Sequence, residues 1–145
     1  MKKLLLAVGG IILVSITYYG ISPLWKNIRV DDALPLMMAT STDAFLGYPI
    51  TDTAAHPASG TVKVLKTEAG SVIRYEDYKT INGPNLHIYL SKELDAKEYI
   101  DLGPIKGTEG NINYEVPAGV DVSAYRYVLT WCKPFGVLFN YAEIK

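Results

Sequence analysis

Sulfur is scarce in this chain. One cysteine stands among 145 residues, so no disulfide can form within the chain and Cys132 is not a structural staple. The same scarcity removes whole classes of metal site. Covalent haem attachment needs Cys-x-x-Cys-His, which is absent, and a zinc site would have at most three nitrogen or sulfur ligands plus a carboxylate. A blue-copper centre would have to draw on His56, His87, Cys132 and Met37 or Met38. Such domains take their second histidine and methionine from the loop after the cysteine, and Lys133-Pro134-Phe135-Gly136 holds neither. No copper or zinc centre is expected, while non-covalent haem, with Cys132 as thiolate ligand and a histidine opposite, stays open.

Charge of one sign is also lacking. A formal net charge of −1, with no long run of either sign, leaves no electrostatic footprint for nucleic acid and no polybasic patch for lipid headgroups. There is no internal repeat and no low-complexity tract.

What is present begins with an uncharged stretch from Leu4 to Trp25 behind Lys2 and Lys3. A helix rising ~1.5 Å per residue needs roughly 20 residues to cross a ~30 Å hydrocarbon core, so residues 1–25 are expected to form an N-terminal transmembrane helix. Tyr18, Tyr19 and Trp25 would mark its outer interface and the lysines would hold the N-terminus in the cytoplasm. The chain would then be a single-pass protein of the cell membrane with an extracytoplasmic C-terminal domain. The alternative is a signal peptide with Leu4 to Val14 as its apolar region, although no Ala-x-Ala cleavage pattern follows. Both readings export the remainder.

Residues 26–44, with Pro35, Asp31, Asp32 and the polar run Thr40 to Asp43, read as a linker, with one short helical turn around Leu36 to Ala39. Residues 45–145 alternate short apolar runs with turn residues in the manner of an all-β module. Thr61 to Lys66 and Ser71 to Tyr78 flank Glu68-Ala69-Gly70 as a hairpin. Leu86, Ile88 and Leu90 share one strand face, with His87 and Tyr89 on the other, and Ile112, Tyr114 and Val116 form another inward set. Ser91 to Tyr99 reads as a loop or a single helical turn crossing between sheets. Tyr125 to Cys132 and Gly136 to Ile144 are almost continuously apolar, as strands covered on both faces are. The fold class expected is all-β, an antiparallel two-sheet sandwich of about seven or eight strands.

On spacing alone Cys132 reads as a small core hydrophobe, and Trp131 and Lys133 project from the opposite strand face, so a cation to stabilise a thiolate would have to come from another strand. His56, in the turn-rich segment Asp52 to Gly60, reads as a loop histidine, and His87 as an exposed cross-strand residue. Asp52, His56 and Ser59 do not make a catalytic triad, because no nucleophile elbow surrounds Ser59. Gly103, Gly107 and Gly110 join strands, with no helix behind them to hold a phosphate. No acid, base and nucleophile set can be assembled, so a stand-alone enzyme is not expected.

Four segments taken together resemble a known family. They are His56-Pro57-Ala58-Ser59-Gly60-Thr61-Val62, Asn82-Gly83-Pro84-Asn85-Leu86 through Ser91, Leu102-Gly103 through Lys106-Gly107 with Gly110 and Tyr114-Glu115-Val116-Pro117, and Trp131-Cys132-Lys133-Pro134-Phe135 with Val137, Phe139 and Ala142. In order over residues 43–145 they resemble the DM-thirteen domain, an electron-transfer domain found beside DOMON modules and membrane cytochromes. The resemblance implies an extracytoplasmic β domain in which Cys132 does redox work, as a naked thiol or as ligand of a prosthetic group. Haem is one such group, with His56, at a position where the family often carries histidine, as second ligand; no cofactor at all is the equal alternative. Two departures stand out: Asn85 replaces an aspartate of the family's turn, and Asn140 replaces a glycine near the end of the last strand.

The function expected is thus a membrane-tethered extracytoplasmic redox module, partnered with a membrane or surface oxidoreductase. The alternative is an extracellular binding or adhesion module with a structural cysteine and Tyr78, Tyr89 and Tyr99 as an aromatic platform.

Overall fold

The computed structural model of the chain describes residues 2–21, 27–36 and 46–145. Among the described residues it holds one α-helix, α1 (Lys2–Ile21), a 3-10 turn at Val122–Ala124, and nine strands: β1 (Arg29–Asp31), β2 (Tyr48–Asp52), β3 (Ala58–Thr67), β4 (Gly70–Thr80), β5 (Leu86–Ser91), β6 (Tyr99–Pro104), β7 (Glu109–Glu115), β8 (Tyr127–Cys132) and β9 (Val137–Glu143). All nine belong to one sheet in the order β1-β7-β4-β3-β2-β9-β8-β5-β6.

The expected two-sheet sandwich is therefore corrected to a single curled sheet, a half-barrel. The cause lies in β2, which changes partner midway: Tyr48 and Pro49 pair with β3, and Ile50, Thr51 and Asp52 pair with Ala142, Tyr141 and Asn140 of β9. Proline has no N–H to give a ladder, and here it marks the point where β2 leaves β3. A sheet this long curls, so side chains from its two halves meet on the concave side. Val62, Ile73, Tyr75, Tyr78, Ile112 and Tyr114 from one half pack against Ile88, Leu90, Val128, Ala142 and Ile144 from the other. Between the halves the Tyr114 hydroxyl accepts from the Lys106 amide at 3.0 Å, and the Tyr78 hydroxyl meets Thr130 Oγ1 at 2.9 Å.

The inward sets Leu86, Ile88, Leu90 and Ile112, Tyr114, Val116 are buried as their periods require, and the β3–β4 hairpin turns at Glu68 and Ala69. Ser91 to Tyr99 differs from expectation. It connects β5 and β6, antiparallel neighbours in the same sheet, so it is a hairpin loop rather than a crossing between sheets. Arg29–Asp31, inside the segment read as a linker, pairs in parallel with Glu109 to Asn111. The chain just beyond it is held by the buried Arg74, which donates to the Asp32 and Ala33 carbonyls at 3.2 and 3.3 Å. The helical turn expected at Leu36 to Ala39 lies, beyond Leu36, outside the described residues.

The transmembrane helix is also corrected. Among the described residues no helix is long and apolar enough to cross a membrane. Lys2 and Lys3 occupy the first turn of α1. From Leu4 to Ile21 the helix rises only about 27 Å against a hydrocarbon core of about 30 Å. Gly9, Gly10, Ser15, Thr17 and Tyr18 dilute its apolar character further, and residues 22–26, where the outer end was expected, lie outside the described residues.

Four strand pairs, β3–β4, β4–β7, β5–β6 and β8–β9, carry register shifts, and two of these bulges shape the site. Ser59 faces Lys79 but Thr61 faces Glu76, so the β3–β4 pair bulges at Gly60 and Asp77. Gly60 has φ +117, and a Cβ there would stand 2.8 Å from the Glu76 carbonyl oxygen and 2.9 Å from the Tyr78 Cα. Both the backbone region and the space exclude a side chain. The second bulge lies in β9, where Thr130 pairs with Asn140 but Trp131 pairs with Leu138, leaving Phe139 as the extra residue. Gly60→Ala is expected to destabilise the fold by at least ~2 kcal/mol, combining left-handed strain with overpacking against backbone. A urea midpoint unchanged by this substitution would show that the bulge relaxes freely.

Candidate functional site

The Phe139 bulge gathers three of the sequence segments. An extra residue puts Phe139 and Asn140, neighbours in the chain, both in the interior. Phe139 shares a buried cluster with Leu86 and Cys132, with Ile105 packed against it. The His56 ring stacks on the Phe139 ring at 3.8 Å between centroids and 21° between planes. At Gly83 a Cβ would meet the Phe139 ring at 2.7 Å, so the glycine is the space that ring needs. Cys132 and His56 are thus brought to one phenyl ring, with no hydrogen bond between them.

His56 is held by its neighbour Thr53. The Thr53 hydroxyl donates to the Phe139 carbonyl at 2.9 Å, and its single proton is then committed. His56 Nδ1, 2.8 Å from the same oxygen, must be the donor there, which leaves Nε2 as the bare nitrogen of a neutral ring. Asp52 pairs with Asn140 across β2–β9, fixing the height of the turn above the bulge.

Cys132 ends β8, opposite Leu86 of β5 and Val137 of β9. It is 1% exposed, and its thiol donates to the Pro84 carbonyl at 3.3 Å. Lys133 turns away, its Nζ 3.2 Å from Asp101 Oδ2. The sulfur is accordingly a protonated donor with no cation bonded to it, whereas nucleophile and metal ligand are roles of the thiolate. The cover over it is thin. Pro84 and Asn85 are exposed, as are Lys133 to Gly136 on the other side.

Haem does not fit these residues. Axial ligation by Cys132 and His56 requires sulfur and imidazole to face an iron across a flat slot. Here the sulfur points at the Pro84 carbonyl and the Phe139 ring contacts both side chains. The cavities beside Leu34 and Glu68 and beside Tyr48 and Lys145 lie elsewhere in the sheet. The purified chain is expected to show no Soret band, oxidised or reduced; a band that shifts on reduction would overturn this.

Beneath the site runs a buried polar network. Tyr78 contacts Thr130 at 2.9 Å and Asn140 Oδ1 at 3.4 Å, and Asn140 Nδ2 donates to Thr80 Oγ1 at 3.1 Å. Asn140 is 1% exposed, so its amide is satisfied entirely by this network. Burial pushes the Tyr78 phenol up, against hydrogen bonds from Thr130, Asn140 and Thr80. The other departure, Asn85, sits at φ 53, where asparagine is tolerated as aspartate is, and its Oδ1 lies 3.2 Å from His87 Nε2.

His87 is more engaged than an exposed cross-strand residue. Its side chain is 13% exposed and its Nδ1 lies 2.8 and 2.9 Å from the Asp101 oxygens. Burial works to raise the Asp101 carboxyl, but the bond to His87, the Gly103 amide and Lys133 outweigh it and hold the group below the usual carboxylate range. A depressed carboxyl stabilises the fold above its unfolded value, and that stability is lost as pH falls through the folded value. Asp101→Asn should therefore cost about 1 kcal/mol at neutral pH, and the difference from the parent should shrink on acidification. A urea series in which the difference persists below the carboxylate range would contradict this.

Tyr78 and Tyr89 are each 1% exposed and only Tyr99 is open, at 40%, so the three rings do not form an exposed platform. Phe139, Thr53 and Gly83 were not singled out as site residues. Phe139 and Gly83 had only their membership in the family-like segments as a sequence signal and Thr53 lay outside them, since a bulge leaves no mark in hydrophobic periodicity.

Comparison with known proteins gives one family. No curated protein and no solved structure matches the chain. The family model described as Electron transfer DM13 matches residues 50–144, from β2 to the end of β9, and the chain belongs to this electron-transfer family.

Proposed function

We propose that this domain transfers electrons by thiol–disulfide exchange at Cys132, gated by the Asn82–Asn85 loop. The observation that carries the reading is the bond from the Cys132 thiol to the Pro84 carbonyl, the contact that seals a buried sulfur under exposed chain. Displacing the loop removes that acceptor and opens the sulfur between Asn85 and the Lys133–Gly136 turn. The loop is tied to this turn by the Lys133 amide, which donates to the Asn85 carbonyl at 3.3 Å.

In the open state the thiol gives its proton to water and the thiolate attacks a disulfide of the partner. One S–S bond breaks and a mixed disulfide forms. The departing sulfur of this disulfide partner takes up a proton, and a thiolate of a second, dithiol partner then attacks the Cys132 sulfur, releasing the first partner as a dithiol. With no second cysteine in the chain, the other thiol of that dithiol partner has to release Cys132, forming the partner's own disulfide, so that two electrons and two protons pass from dithiol to disulfide. Such partners persist in extracytoplasmic compartments. Lys2 and Lys3 ahead of an apolar stretch too short to span are compatible with an export segment.

The test is reaction of the folded chain with 4,4′-dithiodipyridine. Cys132 should release one equivalent of thiopyridone at a rate insensitive to low concentrations of urea, as local opening requires. Gly83→Ala, which presses the loop off Phe139, should raise that rate several-fold. A thiol that reacts only as fast as the whole domain unfolds would sink the gate.

A further inference from the structure

The face of β5, β6 and β8 opposite the concave core carries a column of aromatic rings. Tyr99 stacks on Tyr89 at 4.1 Å between centroids and 18° between planes. Tyr89 in turn lies 6.3 Å from Trp131 at 27°. The register produces this column: Tyr89 faces Leu129 and His87 faces Trp131, so Tyr89 and Trp131 are diagonal neighbours on one face. Tyr99 faces Ser91, the next residue on that face, from β6. The column runs from the surface, through a ring that is 1% exposed, to the residue preceding Cys132.

We propose that Tyr99, Tyr89 and Trp131 form a one-electron relay, through which a donor docked at Tyr99 reduces an oxidant that acts at Trp131. The inference rests on the electron-transfer reading of the domain but uses the face of β8 away from the thiol. A one-electron oxidant takes an electron from Trp131, whose indole proton goes to water. The resulting neutral radical takes an electron from Tyr89 and a proton from water, while Tyr89 releases its phenolic proton to water. The Tyr89 phenoxyl then takes an electron from the stacked Tyr99 ring and a proton from water, as Tyr99 releases its own phenolic proton to water. The Tyr99 phenoxyl, at the surface, is restored by one electron from the donor and one proton from water. One electron crosses and no proton is consumed.

Burial, with the neighbouring Tyr99 and the Asp101 carboxylate, pushes the Tyr89 phenol up. Each hop through it must therefore move a proton with the electron. The stack also places both transfers between rings in near-parallel contact, the arrangement in which π systems couple.

Pulse radiolysis with azide radicals tests the relay in the full chain carrying Trp25→Phe, so that Trp131 is the only tryptophan. Tryptophanyl absorption should convert to tyrosyl absorption in a first-order step whose rate is independent of protein concentration. Tyr89→Phe keeps the ring and its packing and should slow the conversion at least tenfold. Tyr127→Phe alters a different ring pair on the same face, Tyr127 with Tyr141 at 5.9 Å, and should leave the rate unchanged. Conversion as fast in Tyr89→Phe as in its parent, or decay of the tryptophanyl signal without tyrosyl growth, would overturn the proposal. The radical readout is independent of disulfide exchange at Cys132, so failure of the relay leaves the thiol gate standing, and a sealed thiol leaves the relay standing.

Discussion

The three-residue pairing of β2 with β9 is the constraint on which both fold and site depend. Ile50, Thr51 and Asp52 lie against Ala142, Tyr141 and Asn140, and without that ladder the β1-β7-β4-β3 half and the β9-β8-β5-β6 half would have no shared strand. The same ladder delivers Thr53 to the Phe139 carbonyl, and Thr53 orients His56 on the Phe139 ring. One short register thus closes the concave core and fixes the imidazole. A slip of one residue would turn every side chain of β2 to the other face and carry His56 off the bulge.

Packing against Phe139 explains why the recurring segments are far apart in the chain and close in space. Its ring fills the gap left by the missing Cβ of Gly83, stacks under His56 and walls the sulfur of Cys132. Removing a buried ring of this size costs roughly 3–5 kcal/mol in typical cores. Here the same loss would also free the histidine and uncover the thiol, so stability and chemistry are coupled through one hydrophobic side chain. Asn140, next along the bulge, anchors the other side of the strand through Tyr78 and Thr80. A glycine there would leave the Thr80 hydroxyl without that amide donor, at a cost typical of an unmet buried polar group, about 1–3 kcal/mol.

Strand content, the β3–β4 hairpin, the inward faces of β5 and β7 and the double-sided burial of β8 and β9 were legible in the sequence, because alternation and apolar runs report burial directly. The joining of two half-sheets into one was not, since it depends on five residues of β2 that include a proline and carry weak alternation. β1 was missed for a similar reason: three residues, Arg29 to Asp31, become a strand only because Gly107 and Gly110 let Ile28 and Val30 approach closely. At the site, Cys132 and His56 were marked by their segments. Their meeting at Phe139 was hidden, because the bulge that turns Phe139 inward is a property of pairing between two strands and not of either alone.

A buried thiol in an electron-transfer domain poses a physical problem, because exchange chemistry needs sulfur in contact with a partner while the fold places it out of solvent. Two features of β8 bear on it. On the concave side the cover is the exposed pair Pro84 and Asn85, tied to the sulfur, to the Lys133 amide and to His87, and the proposed gate requires that these few bonds open without unfolding the sheet. On the convex side, Trp131 and its stacked tyrosines put oxidisable rings one residue from the same sulfur, and the proposed relay would carry electrons there without any molecule entering. Alternation of side chains along a strand makes these routes back to back rather than competing: what faces Phe139 at residue 132 obliges residue 131 to face Tyr89.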